Sequence, residues 1–322
     1  MVIDNNFFMS LAIKEAWKYQ GLTYPNPAVG CVVLGSCDEI LSIEAHQKAG
    51  QPHAEVNALK SAYFKLTKDK DILTLTSSQD IHTFLLKNNN EIFKDCSIYT
   101  TLEPCSHIGK TPSCASLISQ LGIKKLFVGS KDFNKIASKG NKIVKNAGIE
   151  VENGILEKEC DALLEPFKKW QKKNFVFFKM AQRFDGSTDG TVSSLESRKN
   201  VHVMRDVCDL LVIGGNTVRE DRPILDARLV DGKAPDILII SRQKEFDKTI
   251  PLFNVKDRKV FIESDFKILD NYKNIMIEGT KNMYELSKNY IDYSLFYIAS
   301  DFEILDMNKN TEDMIIWGRK YK

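Results

Sequence analysis

Short apolar runs alternate with amphipathic stretches twice along the chain, and a charged stretch separates the two series. The first series has apolar runs at 28–34, 39–45, 97–103, 124–130 and 149–154, with helical periodicity over 5–20, 54–65, 113–121 and 140–148. Such runs are too short for buried helices and suit sheet strands, and strands that alternate with helices predict an α/β sheet with helices packed on it. The second series has runs at 175–182, 209–215, 236–241, 259–264, 274–279 and 293–300, with helices expected near 196–206 and 281–290. Between them lies a polar helical connector, 157–173, expected to break or bend near Pro166. A chain of 322 residues exceeds what one core usually supports, so two α/β domains are expected, 1–172 (connector included) and 173–322. The polar-ended segment 66–96 reads as an insertion in the first.

Charge narrows the function. Lys and Arg number 45 and Asp and Glu 43, a net +2, which gives no electrostatic case for a nucleic-acid binder. No run approaches the ~20 apolar residues of a membrane span. The first 20 residues lack a basic leader and a long apolar core and read as a helix, so no cleaved signal is expected. Seven cysteines form an odd set in a large chain, which favours a reducing, cytoplasmic setting with free or metal-bound thiols. Cys31, Cys37, Cys96, Cys160 and Cys208 are expected to pack as small apolar residues, and His82 and His202 to lie on the surface.

Three segments of the first half carry chemistry: Pro52-His53-Ala54-Glu55, Glu103-Pro104-Cys105-Ser106-His107, and Thr111-Pro112-Ser113-Cys114. His53, Cys105 and Cys114 offer one imidazole and two thiolates, a set that suits zinc and leaves a fourth position open. Glu55, two residues from His53, is placed to move a proton between water and a leaving amine. His-x-Glu followed by Pro-Cys and a second Cys is the zinc deaminase pattern. His107 is a further ligand candidate on sequence alone, and a structural zinc knuckle is the rival reading, which leaves Glu55 without a purpose.

Eight residues separate the two cysteines, where the usual gap is two. With Tyr24-Pro25-Asn26-Pro27-Ala28-Val29-Gly30, His46 to Glu55 and Thr101 to Cys114, the first half resembles the deaminase half of the bifunctional riboflavin-biosynthesis deaminase–reductases. The resemblance implies a cytidine-deaminase-like three-layer α/β/α domain. In it Asn26, His46 and His107 would meet the substrate. The second half is similar to the reductase half of that family, whose fold is like dihydrofolate reductase. Phe178-Lys179-Met180-Ala181, Asp185-Gly186, Arg205, Gly214 to Pro223, Leu225, Arg228, Ser241 and Glu278-Gly279 carry that likeness. It implies that Ala181, Thr217, Asp221, Ser241 and Gly279 contact NADPH. Lys179, Arg205, Leu225, Arg228 and Glu278 would hold the ribosyl-phosphate substrate. The implied enzyme uses Zn²⁺ and NADPH on a small phosphorylated pyrimidine and forms a homo-oligomer. The stretch 187–194 lacks the family's Trp, so a deaminase joined to a degenerate reductase is the alternative.

Overall fold

A computed structural model describes residues 4–106, 112–132, 139–188, 190 and 192–300, and the backbone of 302–310 and 313–320. The chain divides into two compact units, Met1–Gln171 and Lys172–Lys322.

In the first unit the elements run α1 (Asn5–Trp17), β1 (Gly30–Leu34), β2 (Ile40–Ala45), α2 (Ala54–Thr67), α3 (Asp71–Thr74), α4 (Ser78–Lys87), β3 (Ser97–Leu102), α5 (Cys114–Leu121), β4 (Lys125–Ser130), α6 (Gly140–Asn146), β5 (Glu150–Asn153) and α7 (Glu157–Lys172). The sheet order is β2-β1-β3-β4-β5. β1 is antiparallel to β2 and β3, while β3, β4 and β5 are parallel. Alternation of side chains along each strand makes three layers. Val32, Leu34, Tyr99 and Phe127 pack with α1 and α7 residues on one face. Cys31, Val33, Ile98, Leu126 and Val128 pack with α2, α4 and α5 on the other. Gly30 is required where α1 crosses β1, because a Cβ there would lie 1.9 Å from the Ala12 carbonyl oxygen.

Four expectations change on contact with the structure. The insertion is core material: Ile72, Ile81, Leu85 and Phe93 are buried in the cluster under α2 and α5. α7 runs unbroken through Pro166, anchored on both sides by buried Leu163, Leu164 and Trp170. Cys37 is exposed in the turn after β1 rather than packed. His82 and His202 are buried, not on the surface. His82 sits on the inner face of α4, where burial pushes its pKa down to about 4. His202 Nδ1 accepts from the Leu229 amide at 3.4 Å.

The second unit holds β6 (Phe175–Arg183), α8 (Leu195–Val207), β7 (Leu210–Gly214), α9 (Gly215–Asp221), β8 (Asp236–Ile240), β9 (Val260–Glu263), β10 (Asn274–Glu278), α10 (Lys281–Ser287), β11 (Tyr293–Ala299), β12 (Phe302–Asn310) and β13 (Asp313–Lys320). Six strands form one sheet in the order β11-β6-β10-β7-β8-β9, with every neighbouring pair parallel. β12 and β13 form a separate antiparallel ribbon. The central strands carry continuous apolar runs, 210–213, 237–240 and 275–277, as a sheet covered on both faces requires. Among the described residues no helix is long and apolar enough to cross a membrane.

Candidate active site

In the first unit, the chain reversals around β3 bring the three chemical segments together. His53 is the N-cap residue of α2, Cys105 follows the end of β3, and Cys114 opens α5. The Nδ1 of His53 lies 3.7 Å from Cys105 Sγ and 3.4 Å from Cys114 Sγ. All three donor atoms lie within 4.8 Å of one another. A tetrahedral zinc with ordinary Zn–S and Zn–N lengths separates its ligand atoms by about 3.6–3.8 Å, so this set fits zinc.

The backbone holds the thiol groups in place. Ser113, the N-cap of α5, donates its hydroxyl to the Cys105 carbonyl at 2.9 Å, and the Cys114 amide donates to Cys105 Sγ at 3.4 Å. The hydrogen bond with Cys114 and that with His53 hold the Cys105 thiol well below its usual range, against burial. Cys114 is pushed up by the same bond with Cys105 and by burial. One thiolate is therefore already favoured among the protein groups. For His53, burial works against charge, and the Cys105 hydrogen bond together with the negative charges of Glu55 and Cys105 outweighs it, so its pKa rises.

Glu55 lies in the first turn of α2 and is 4% exposed. Burial raises its pKa to about 7, opposed by the charge of His53. A carboxyl poised near neutrality can both take and return a proton. His46 lies beside His53, the two rings 5.4 Å apart. Burial pushes the His46 pKa down to about 4, so the ring is neutral. Its Nδ1 donates to the Pro52 carbonyl at 3.1 Å, which assigns Nε2 as the acceptor for Asn26 Nδ2 at 3.1 Å. Asn26 thus has its amide oriented by His46, and both residues line a cavity of about 600 Å³ with His53, Glu55 and Cys105. His107 lies outside the described residues.

Sequence reasoning left Glu103 and Phe167 without roles. Phe167, on α7, lines the same cavity, and no local pattern announces that. Glu103 is buried, and its carboxylate accepts the backbone amides of Asn141 at 3.0 Å and Asp132 at 3.3 Å. Gly140 lets the Pro104 carbonyl approach, since a Cβ there would lie 1.8 Å from that oxygen. The Glu-Pro pair before Cys105 is thereby locked against the start of α6. Glu103→Gln replaces one acceptor oxygen with a donor. We expect it to weaken zinc binding about 10-fold in a chelator competition, with unchanged secondary structure by circular dichroism.

In the second unit the predicted residues collect at the carboxyl ends of the parallel strands, where such sheets bind ligands. Lys179 and Ala181 lie on β6, Glu278 ends β10 and Gly279 follows it. Thr217 and Asp221 lie on α9 directly after β7, and Ser241 follows β8. Arg205, on α8, donates to both Glu278 oxygens, at 2.9 and 3.1 Å. Lys179 Nζ stands 3.9 Å from the same carboxylate. Burial works to raise the Glu278 pKa, but Arg205 and Lys179 outweigh it and the pKa falls. Arg228 is exposed and pairs with Asp226 at 2.5 Å, while Leu225 is buried with φ +58°. Ser241 Oγ accepts from Arg219 at 3.3 Å and donates to the Gln243 carbonyl at 2.7 Å. Hydroxyl, guanidinium and glycine backbone at one sheet edge are a donor set that suits a dinucleotide phosphate.

Fold and site together define a zinc deaminase domain joined to a reductase domain. Residues 3–130 match the cytidine and deoxycytidylate deaminase zinc-binding region, and residues 174–295 match the RibD C-terminal domain. The riboflavin biosynthesis protein RibD of Aquifex aeolicus is 34% identical over 270 residues, covering 81% of this chain and 68% of that protein. RibD of Synechocystis is 36% identical over 231 residues, covering 69% of this chain and 55% of the relative. The match thus spans little more than half of some relatives. A Thermotoga maritima crystal structure of a diaminohydroxyphosphoribosylaminopyrimidine deaminase/5-amino-6-(5-phosphoribosylamino)uracil reductase superposes with a TM-score of 0.62 at 25% identity, covering 98% of this chain and 99% of that one. The chain belongs to the RibD family of riboflavin biosynthesis proteins. It carries both the deaminase and the reductase domain, so the degenerate-reductase alternative has no support.

Proposed function

We propose that this chain performs two consecutive reactions on one phosphorylated pyrimidine. The first unit, with 1–172 as its functional extent, hydrolytically deaminates diaminohydroxyphosphoribosylaminopyrimidine. The second, 173–322, reduces the deaminated product, 5-amino-6-(5-phosphoribosylamino)uracil, with NADPH. The observation that carries the reading is the zinc-spaced triad of His53, Cys105 and Cys114 with Glu55 buried beside it.

His53, Cys105 and Cys114 would hold the zinc. Zinc bound there supplies Lewis acidity that brings the pKa of a water toward 7. Glu55 accepts the proton of the attacking water and passes it to the departing amine, so water is consumed and ammonia leaves. Asn26, oriented by His46, offers an amide that pairs with the pyrimidine edge, and His107 is assigned to the same substrate. In the second unit NADPH would supply a hydride to the anomeric carbon, and a proton taken up from solvent by the released ring oxygen completes the change from ribosyl to open ribityl chain. Ala181, Thr217, Asp221, Ser241 and Gly279 are assigned to the cofactor. Lys179, Arg205, Leu225, Arg228 and Glu278 are assigned to the substrate, with the exposed Arg228, held by Asp226, offering its guanidinium to phosphate oxygens. We assign the enzyme to the cytoplasm and to a homo-oligomer, the latter testable by light scattering.

The test is a two-step assay with zinc-loaded protein and the diamino substrate. Ammonia release followed by an equal amount of NADPH oxidation is expected. Ammonia without NADPH oxidation, even with the deaminated intermediate supplied, would overturn the second half of the reading.

A further inference from the structure

We infer that Arg258 is a positioning residue for the reductase half: it fixes the loop that presents Leu225 and Arg228 to the substrate. This rests on the reductase reading above. Arg258 lies just before β9 and is not among the residues assigned to substrate or cofactor. Its Nε donates to the Pro235 carbonyl at 2.8 Å, and its Nη1 to the Ile224 carbonyl at 2.8 Å. Its Nη2 donates to the Leu225 carbonyl. One guanidinium thus ties consecutive carbonyls on both sides of Leu225 to the residue that precedes β8.

The loop needs that tie. Arg222 and Leu225 have φ of +45° and +58°, a left-handed backbone that non-glycine residues hold only when their surroundings impose it. The other flank of the loop is held from the substrate side. Arg205, bonded to Glu278, donates to the Asp226 carbonyl at 3.4 Å, and the Asp226 carboxylate takes Arg228. Residues 224–228 are therefore suspended between two guanidinium groups, one in the assigned substrate cluster and one behind it. Among the described residues no carboxylate stands within ion-pair distance of Arg258, so its donors are spent on backbone carbonyls. A lysine keeps the charge but is a single point donor that cannot span three carbonyls.

Arg258→Lys and Arg258→Ala should raise the KM for 5-amino-6-(5-phosphoribosylamino)uracil about 10-fold, with kcat within about 2-fold of the parent. Titration should find the NADPH Kd unchanged, and ammonia release by the same chain gives an internal control that should not move. Methylguanidinium added to Arg258→Ala should restore the KM toward the parent value. An unchanged KM in both variants would overturn the inference. So would a KM rise accompanied by weaker NADPH binding, or by loss of cooperative unfolding in both variants, because either assigns Arg258 to general stability. Failure of the parent itself to oxidise NADPH is a different result: it removes the reductase reading, and this inference with it.

Discussion

Glu55→Gln should lower the turnover of ammonia release by about 10³-fold while leaving one zinc per chain, since general acid–base catalysis contributes ~10²–10⁴-fold. The argument rests on what the substitution changes. Glutamine fills the same volume at the start of α2, so His53, Cys105 and Cys114 keep their places. It removes the only titrating function of that side chain, and burial had set that function near neutrality, at about 7. A hydrolytic deamination needs one proton taken from water and one delivered to nitrogen. Glutamine does neither. Zinc content by atomic emission and ammonia release, measured on one preparation, decide the matter. Loss of zinc would make Glu55 a structural support of the ligand set, and full activity would remove it from the reaction. NADPH oxidation with the deaminated intermediate should be unaffected, because the change lies in the other unit.

Most strands of both sheets were legible because their burial is written locally: DLLVIGG and DILIIS are apolar over Leu210–Ile213 and Ile237–Ile240, as two-sided burial demands. The zinc triad was legible for a different reason, since few purposes other than metal bring His-x-Glu and two Pro-linked cysteines into one chain. What stayed hidden depends on partners far away in sequence. α9 begins at Gly215, in a Gly-Gly pair that reads as a turn, and only packing against β7 and β8 makes it helical. His82 and His202 look like surface residues because histidine has no fixed side of the surface, and only the tertiary fold buries them. Cys37 shows the reverse, a thiol left outside by a tight turn between β1 and β2. Glu103 stood in plain view beside Cys105, but its partners are the amides of Asp132 and Asn141, in segments that no spacing rule connects to it.

Glu278→Gln should destabilise the reductase unit by about 3 kcal/mol and abolish NADPH oxidation, with ammonia release retained. Glu278 is the anion between two buried cations: Arg205 grips both its oxygens, Lys179 stands 3.9 Å away, and all three side chains are 12–13% exposed. Removing the negative charge leaves Arg205 and Lys179 facing each other with no compensation, which costs more than the pair itself contributed. The pH dependence has a definite sign. The folded-state pKa of Glu278 lies below its ordinary value, so its contribution is fully present above the ordinary carboxylate range and is lost as pH falls through the folded value. Denaturant unfolding of the parent should show the second unit weakening on acidification below about pH 4, and the Gln variant should lack that component of the slope. Equal stability of variant and parent at neutral pH would show that the cluster contributes nothing net to the fold. In that case a loss of NADPH oxidation alone would assign Glu278 wholly to the substrate, where its paired guanidinium also sets the 226–228 loop.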